Sequence, residues 1–239
     1  MDKKQQTKSL KDRFEGTFQI KEVKGGEYTY NGYKFTKTPE NLEEVRKIFK
    51  DRQFLVYALP AIEAEVFRKY FGLEDGEFMS MTDIAQSMNV TKTTVSKYLS
   101  RALYLLDHSS FSTYMTEDLT DDKVSECLTK LKAEEDKKPK NEHDSESIDS
   151  LKVRKTVLDE LKAKGFKTIS ELAQLTSKEI QQIITTRREY LSVVIALENL
   201  GYDFSTGLSY KNLNYFVRKS EEGKEAYQSK MKKDDSLSV

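Results

Sequence analysis

The sequence predicts a mainly α protein of two domains, with one small β-hairpin near its start. Three observations carry this. Apolar residues recur at helical spacing through residues 40–131 and again through 148–204. A polar stretch over 132–147, KAEEDKKPKNEHDSES, separates the two runs and contains no apolar residue except Ala133. From Lys92 to Leu106 the chain carries the bases Lys92, Lys97 and Arg101 and no acid, although its charges otherwise cancel. A helix lying against a phosphate-lined groove must be free of carboxylates in this way, since each would repel the backbone.

The totals set limits. The chain has 239 residues, 33% charged and 37% hydrophobic, with a mean hydropathy of −0.70. That is too polar for one compact globule of this length, so part of the chain is expected to be linker or tail. The formal net charge is zero, so any affinity for nucleic acid has to come from local patches. The single cysteine, Cys127, excludes an internal disulfide and a thiolate metal cluster. No apolar run reaches membrane-spanning length, and MDKKQQTKSLKDR at the start lacks the apolar core of a signal peptide. The expectation is a soluble cytoplasmic protein.

Residues 1–13 read as disordered. The first domain, 14–131, opens with FEGTFQIKEVKGGEYTYNGYKFTK. Gly25-Gly26 and Asn31-Gly32 are turn signals between Tyr-, Phe- and Thr-rich runs, which predicts a hairpin or a three-strand meander. It either caps the following helices or offers a contact surface. Residues 40–72 are helical in pattern, broken near Leu59 by Pro60 and ended by Gly72. Val66, Phe67, Tyr70 and Phe71 form an apolar face on the second piece. Glu117, Asp118, Asp121 and Asp122 make an acidic patch before a weak helix pattern ending near 131.

Residues 132–147 read as a flexible, solvated linker. In the second domain, 148–217, Thr168 with Glu171 and Thr176 with Glu179 have capping-box spacing, predicting helices from Ile169 and Ser177. A helix over about 151–164 precedes them and one over about 188–200 follows, stopped by Gly201. Residues 218–239 read as a disordered tail.

Within 80–108, SMTDIAQSMNVTKTTVSKYLSRALYLLDH has the layout of a helix-turn-helix. Residues 82–87 form a short helix with Ile84 and Met88 inward and the small Ala85 at the close approach. Asn89 suits the turn because it tolerates positive φ. Thr91 caps the next helix, on which Val95, Leu99, Ala102 and Leu106 share one face. Lys92, Thr93, Ser96, Lys97, Ser100 and Arg101 share the other. Together with Thr91 and Thr94, the residues Lys92, Thr93, Ser96, Lys97 and Arg101 are the candidate DNA contacts. Lysine reaches guanine or phosphate, and hydroxyls donate to either. An ordinary amphipathic helix with a solvated lysine face has the same pattern.

Over about 54–108 the chain resembles region four of primary bacterial sigma factors. The pieces that carry the resemblance are KYFGLEDGE, SMTDIA, NVT and RALYLL, in one register. The resemblance implies a helix-turn-helix that binds promoter DNA, and first helices, here with Val66, Phe67, Tyr70 and Phe71, that serve partly as core and partly as a contact for the β flap of RNA polymerase. The family's base-reading Arg-Glu and Arg-Gln fall on Lys92, Thr93, Ser96 and Lys97, which implies a different DNA target. Nothing matches the promoter-melting region, so the chain is not expected to be a complete sigma factor.

Residues 148–204 are similar to the C-terminal domain of the RNA polymerase alpha chain, whose fold is a helix-hairpin-helix. The matching pieces are LDELKAKGFKTISELAQLTSKEI and YLSVVIALENLGYDF. The family's DNA-contacting Arg and Asn align with Thr156 and Asp159, and its hairpin glycine with Arg187. Asp159 repels phosphate, and Arg187 loses the close backbone approach of glycine. Arg154, Lys155, Arg187 and Arg188 remain as contact candidates for either protein or DNA.

The two resemblances together imply a transcription regulator working at bacterial RNA polymerase on double-stranded DNA. A phage or mobile-element decoy on the polymerase's sigma-binding surface, and a conventional dimeric repressor or activator, stay open. No cofactor, metal or small-molecule substrate is expected. His108 and His143 lack partners for metal or triad chemistry, and no glycine-rich phosphate loop appears, so the expectation is not an enzyme.

Overall fold

The computed structural model describes residues 18–25, 28–35 and 39–236, apart from 108–110, 112–113, 115–118, 185 and 206. The expectations for 1–13, His108, Glu117 and Asp118 lie outside the described residues. The protein is mainly helical and falls into two compact units, Met1–Leu128 with Phe216–Val239, and Thr129–Tyr215. No described helix is long and apolar enough to cross a membrane.

In the first unit β1 (Phe18–Gly25) and β2 (Tyr28–Phe35) pair antiparallel, from Phe18 opposite Phe35 to Gly25 opposite Tyr28. The reversal lies between Gly25 and Tyr28. Asn31-Gly32, expected as a second turn, runs straight through β2 as part of the ladder.

Three helices follow, α1 (Pro39–Lys50), α2 (Gln53–Tyr57) and α3 (Ala61–Phe71). Pro60 stands just before α3 with an extended ψ of 141°, which is the predicted break. The break at Asp51–Arg52 has no local signal. It is made from far along the chain by Asp121, whose carboxylate accepts from the backbone N–H of Gln53 and of Phe54, each at 2.9 Å. Both oxygens thus cap the start of α2. Asp121→Ala is expected to cost about 1–2 kcal/mol, measured by chemical denaturation, with Asp121→Asn recovering part.

Gly72 ends α3 in the left-handed region, at φ 58°. A Cβ there would lie 2.9 Å from the backbone carbonyl of Glu77, so the loop can fold back only over a glycine. Two helices joined by a short turn follow, α4 (Met81–Ser87) and α5 (Lys92–Asp107), where the helix-turn-helix is expected. The core beneath is aromatic. Phe49 meets Phe67 edge-on at 5.0 Å, and Phe67 meets Phe71 at 4.6 Å.

The expected loose linker and tail are both corrected. α6 (Asp121–Glu135) runs into the predicted linker. Residues 141–147 are then bound within the second unit. Asn141 Nδ2 donates to the Leu200 carbonyl at 2.7 Å, the Tyr202 hydroxyl donates to Asp144 at 2.8 Å, and the Ile169 N–H donates to the Glu146 carbonyl at 2.9 Å. Asn141, which read as solvated chain, satisfies a backbone carbonyl, and Asp144 satisfies a tyrosine hydroxyl.

In the second unit a short 3-10 turn (Ile148–Ser150) leads to α7 (Lys155–Ala163), α8 (Ile169–Ala173), α9 (Ser177–Ile183) and α10 (Arg187–Glu198). Both capping boxes form, at Thr168–Glu171 and Thr176–Glu179. The helices close over Ile148, Leu161, Ile169, Leu172, Ile180 and Leu197.

The described part of the predicted tail, 218–236, belongs to α11 (Tyr210–Ser236). From Phe216 onward it is part of the first unit. Phe216 is anchored between Phe111 at 4.6 Å and Tyr114 at 4.9 Å. One buried aromatic and a few polar contacts hold a segment whose composition alone reads as disorder.

Candidate nucleic-acid interface

Short polar residues set the entry to α4 and the turn from α4 into α5. Ser80 caps α4 and accepts from the Asp83 N–H at 3.2 Å, and the Asp83 carboxylate reaches back to the Ser80 N–H at 3.3 Å. This moves the start of α4 back to Met81 from the predicted Thr82. Asn89 takes φ 52°, the left-handed geometry expected of it. Thr91 Oγ1 accepts from the Thr94 N–H at 3.1 Å, and the two threonine hydroxyls lie 2.9 Å apart. Thr91 and Thr94 therefore hold the start of α5.

Along α5, Val95, Leu99, Ala102, Leu103 and Leu106 are buried. Lys92, Thr93, Ser96 and Lys97 are exposed together on the opposite side of its first two turns. No acid occurs in α5 before Asp107, its last residue. The exposed face is thus short, hydroxyl-rich and basic, at the N-terminal end of the second helix. Ser100 departs from the expectation. It is 8% exposed and sits with the buried side.

Arg101 has a second occupation. Its guanidinium pairs at 3.2 Å with Glu63, a carboxylate in the first turn of α3 whose side chain is 5% exposed. Arg101 itself remains more than half exposed. It is the counter-ion of a buried acid before it is a contact for anything outside. The sequence offers no signal for this pair, since its members lie on different helices.

Of the two roles expected of the apolar face of α3, core and polymerase contact, its burial fits the first. Val66, Phe67, Tyr70 and Phe71 are each 2% exposed or less and fill the core. Helical spacing marks an apolar face but does not say whether protein or solvent lies beyond it. The large apolar side chain that α3 does expose is Ile62.

In the second unit Arg154 and Lys155 stand exposed at the start of α7, and Arg187 and Arg188 at the start of α10. A cation at a helix N-terminus works against the macrodipole by about 0.3–1 kcal/mol. These residues contribute nothing evident to the fold. On α10 they are followed by the exposed Leu191 and Ile195, one turn apart.

Compared with known proteins, the chain matches no family model, no curated protein and no solved structure. The resemblances to sigma region four and to the C-terminal domain of the polymerase alpha chain rest on the residues quoted above.

Proposed function

We propose that the protein is a bacterial transcription regulator that binds double-stranded DNA through α5 and acts at RNA polymerase without being a complete sigma factor. The observation that carries the reading is the exposed, acid-free face of Lys92, Thr93, Ser96 and Lys97, on a second helix set by the Asn89 turn. The lysines supply phosphate or guanine contacts and the hydroxyls adapt to either. The sequence resemblance supports polymerase as the partner. With Val66, Phe67, Tyr70 and Phe71 in the core, a polymerase contact uses other side chains of the first unit, with Ile62 the apolar one that α3 presents. The second unit contacts protein or flanking DNA through Arg154, Lys155, Arg187 and Arg188. The small N-terminal hairpin and the helix-hairpin-helix character of the second unit belong to this reading, as does residence on the nucleoid.

A second reading is favoured by the replacement of the family's base-reading residues at Lys92, Thr93, Ser96 and Lys97. In it the chain, from a phage or mobile element, occupies the sigma-binding surface of the polymerase and blocks it. Co-purification of the tagged chain from its host, with mapping of bound DNA in the same cells, separates the readings. Core polymerase together with a few enriched promoters is the expected result. Polymerase without localised DNA supports the decoy, and localised DNA without polymerase supports a conventional repressor or activator.

A further inference from the structure

The second carboxylate of α3, Glu65, serves two helices at once. Lys230 of α11 donates to both its oxygens, at 2.8 and 2.7 Å, and Lys69 of α3 donates to Oε1 at 2.9 Å. Lys69 also donates to Ser87 Oγ at 3.2 Å, and Ser87 in turn donates to the Ile84 carbonyl at 3.0 Å. Ser87 is the last residue of α4, two residues before the Asn89 turn. A continuous polar chain therefore runs from α11, through α3, into the turn of the helix-turn-helix. Glu65 is 12% exposed in its side chain. Burial raises its pKa, but the hydrogen bonds from Lys230 and Lys69 outweigh this and hold the carboxyl below its ordinary value.

The end of α11 is held besides by Tyr227 and by the close approach of Gly223 to the Tyr57 backbone. Between Glu221 and Lys232 every side chain is exposed except Gly223 and Tyr227. The Tyr227 hydroxyl donates to Glu74. Its ring covers the Arg68 guanidinium at 4.3 Å, and Tyr57 covers it from 4.6 Å. Arg68 also pairs with Glu74 at 2.6 Å.

We propose that Glu65, Lys69 and Lys230 are positioning residues for the helix-turn-helix, with α11 as a brace that holds Lys69 on Ser87 and so fixes the turn from which α5 is presented. The consequence for DNA rests on the reading of α5 as the DNA-contacting helix. The fixing of the turn does not. Lys230 draws Glu65 toward α11, and the shared carboxylate keeps the Lys69 ammonium between the two helices. Without Lys69, the last turn of α4 keeps its backbone bonds, the Ser87 hydroxyl bond to Ile84 and the burial of Ile84 and Ala85, but loses its polar link to α3.

The test is hydrogen exchange on the full chain, read at two places. One is the turn amides of Met88, Asn89 and Val90, which donate to the carbonyls of Ile84, Gln86 and Ala85. The other is the α11 amides over 224–230. Lys69→Met is expected to speed exchange of the turn amides at least about tenfold and leave α11 unchanged, with Lys69→Arg restoring protection. Lys230→Met is expected to speed both. The exchanged pair, Glu65→Lys with Lys230→Glu, is expected to protect α11 again but not the turn, because Lys69 then faces a like charge. Binding of a salt-sensitive duplex is expected to weaken about threefold or more in Lys69→Met. Unchanged turn amides in Lys69→Met overturn the proposal. Loss of α11 and turn protection together in that variant also overturns it, since that is general destabilisation. If the unaltered chain binds no duplex, the reading of α5 fails and the exchange result still decides the brace.

Discussion

Gly223→Ala is expected to release the second half of α11 and to lower the stability of the first unit by about 2–3 kcal/mol. Two effects compete at this position. Alanine has the better helix propensity, by about 1 kcal/mol, so on local grounds the substitution stabilises. The added Cβ, however, would overlap the Tyr57 carbonyl oxygen and stand 3.1 Å from its carbon. That neighbour is backbone at the end of α2, not the movable tip of a side chain. An overlap of about 1 Å cannot be absorbed in packing as dense as a protein interior. The helix must shift, and the contacts of Tyr227 with Glu74 and of Lys230 with Glu65 go with it. Thermal unfolding and tryptic cleavage between Lys224 and Lys232 report the outcome. A variant as stable and as resistant as the unaltered chain would show that α11 does not pack against Tyr57.

Arg101→Ala is expected to destabilise the first unit by about 1–3 kcal/mol. Its partner Glu63 is nearly fully buried, and a buried charge left without its counter-ion is costly. The figure lies below the loss for a fully buried pair because the arginine itself is more than half exposed. Glu63→Gln on top of Arg101→Ala is expected to recover most of the loss in chemical denaturation, because a neutral amide has no charge to desolvate. Additive losses in the double variant would contradict the pairing. The consequence for function is direct. Weaker DNA binding by Arg101→Ala alone does not identify a DNA contact, whereas weaker binding by the stabilised double variant does.

What the sequence made legible was local. The Asn89 turn, the Thr91 cap, the two capping boxes and the Pro60 break each depend on residues within four positions of one another. The candidate face of α5 was legible for the same reason, since its period is read within one helix. Apart from the Ser80–Asp83 box and the Asn31-Gly32 turn, what was missed acts across the chain. Asp121 caps a helix 68 residues away from it. Glu63 and Glu65 recruit cations from α5 and α11. Polar composition over 132–147 and 218–239 reads as solvated chain when no partner is in view. In the fold Asn141, Asp144, Tyr227 and Lys230 have partners, and Phe216 and Tyr227 are ring anchors of α11. The apolar face at Val66 to Phe71 was read as both core and partner contact, because the two look alike in a sequence, and in the fold it is core.

The most direct test of the central claim is duplex binding by the purified full chain. A selection from random duplexes would supply the site, followed by affinity measured across a range of salt. The account predicts an enriched sequence and a log affinity that falls linearly with log salt. It also predicts that Lys92→Glu with Lys97→Glu lowers affinity by at least about a hundredfold and flattens the slope by about two units, with thermal stability unchanged. No enriched sequence, or a charge-reversed variant that binds as the unaltered chain does, would contradict the reading of α5 as a DNA-contacting helix.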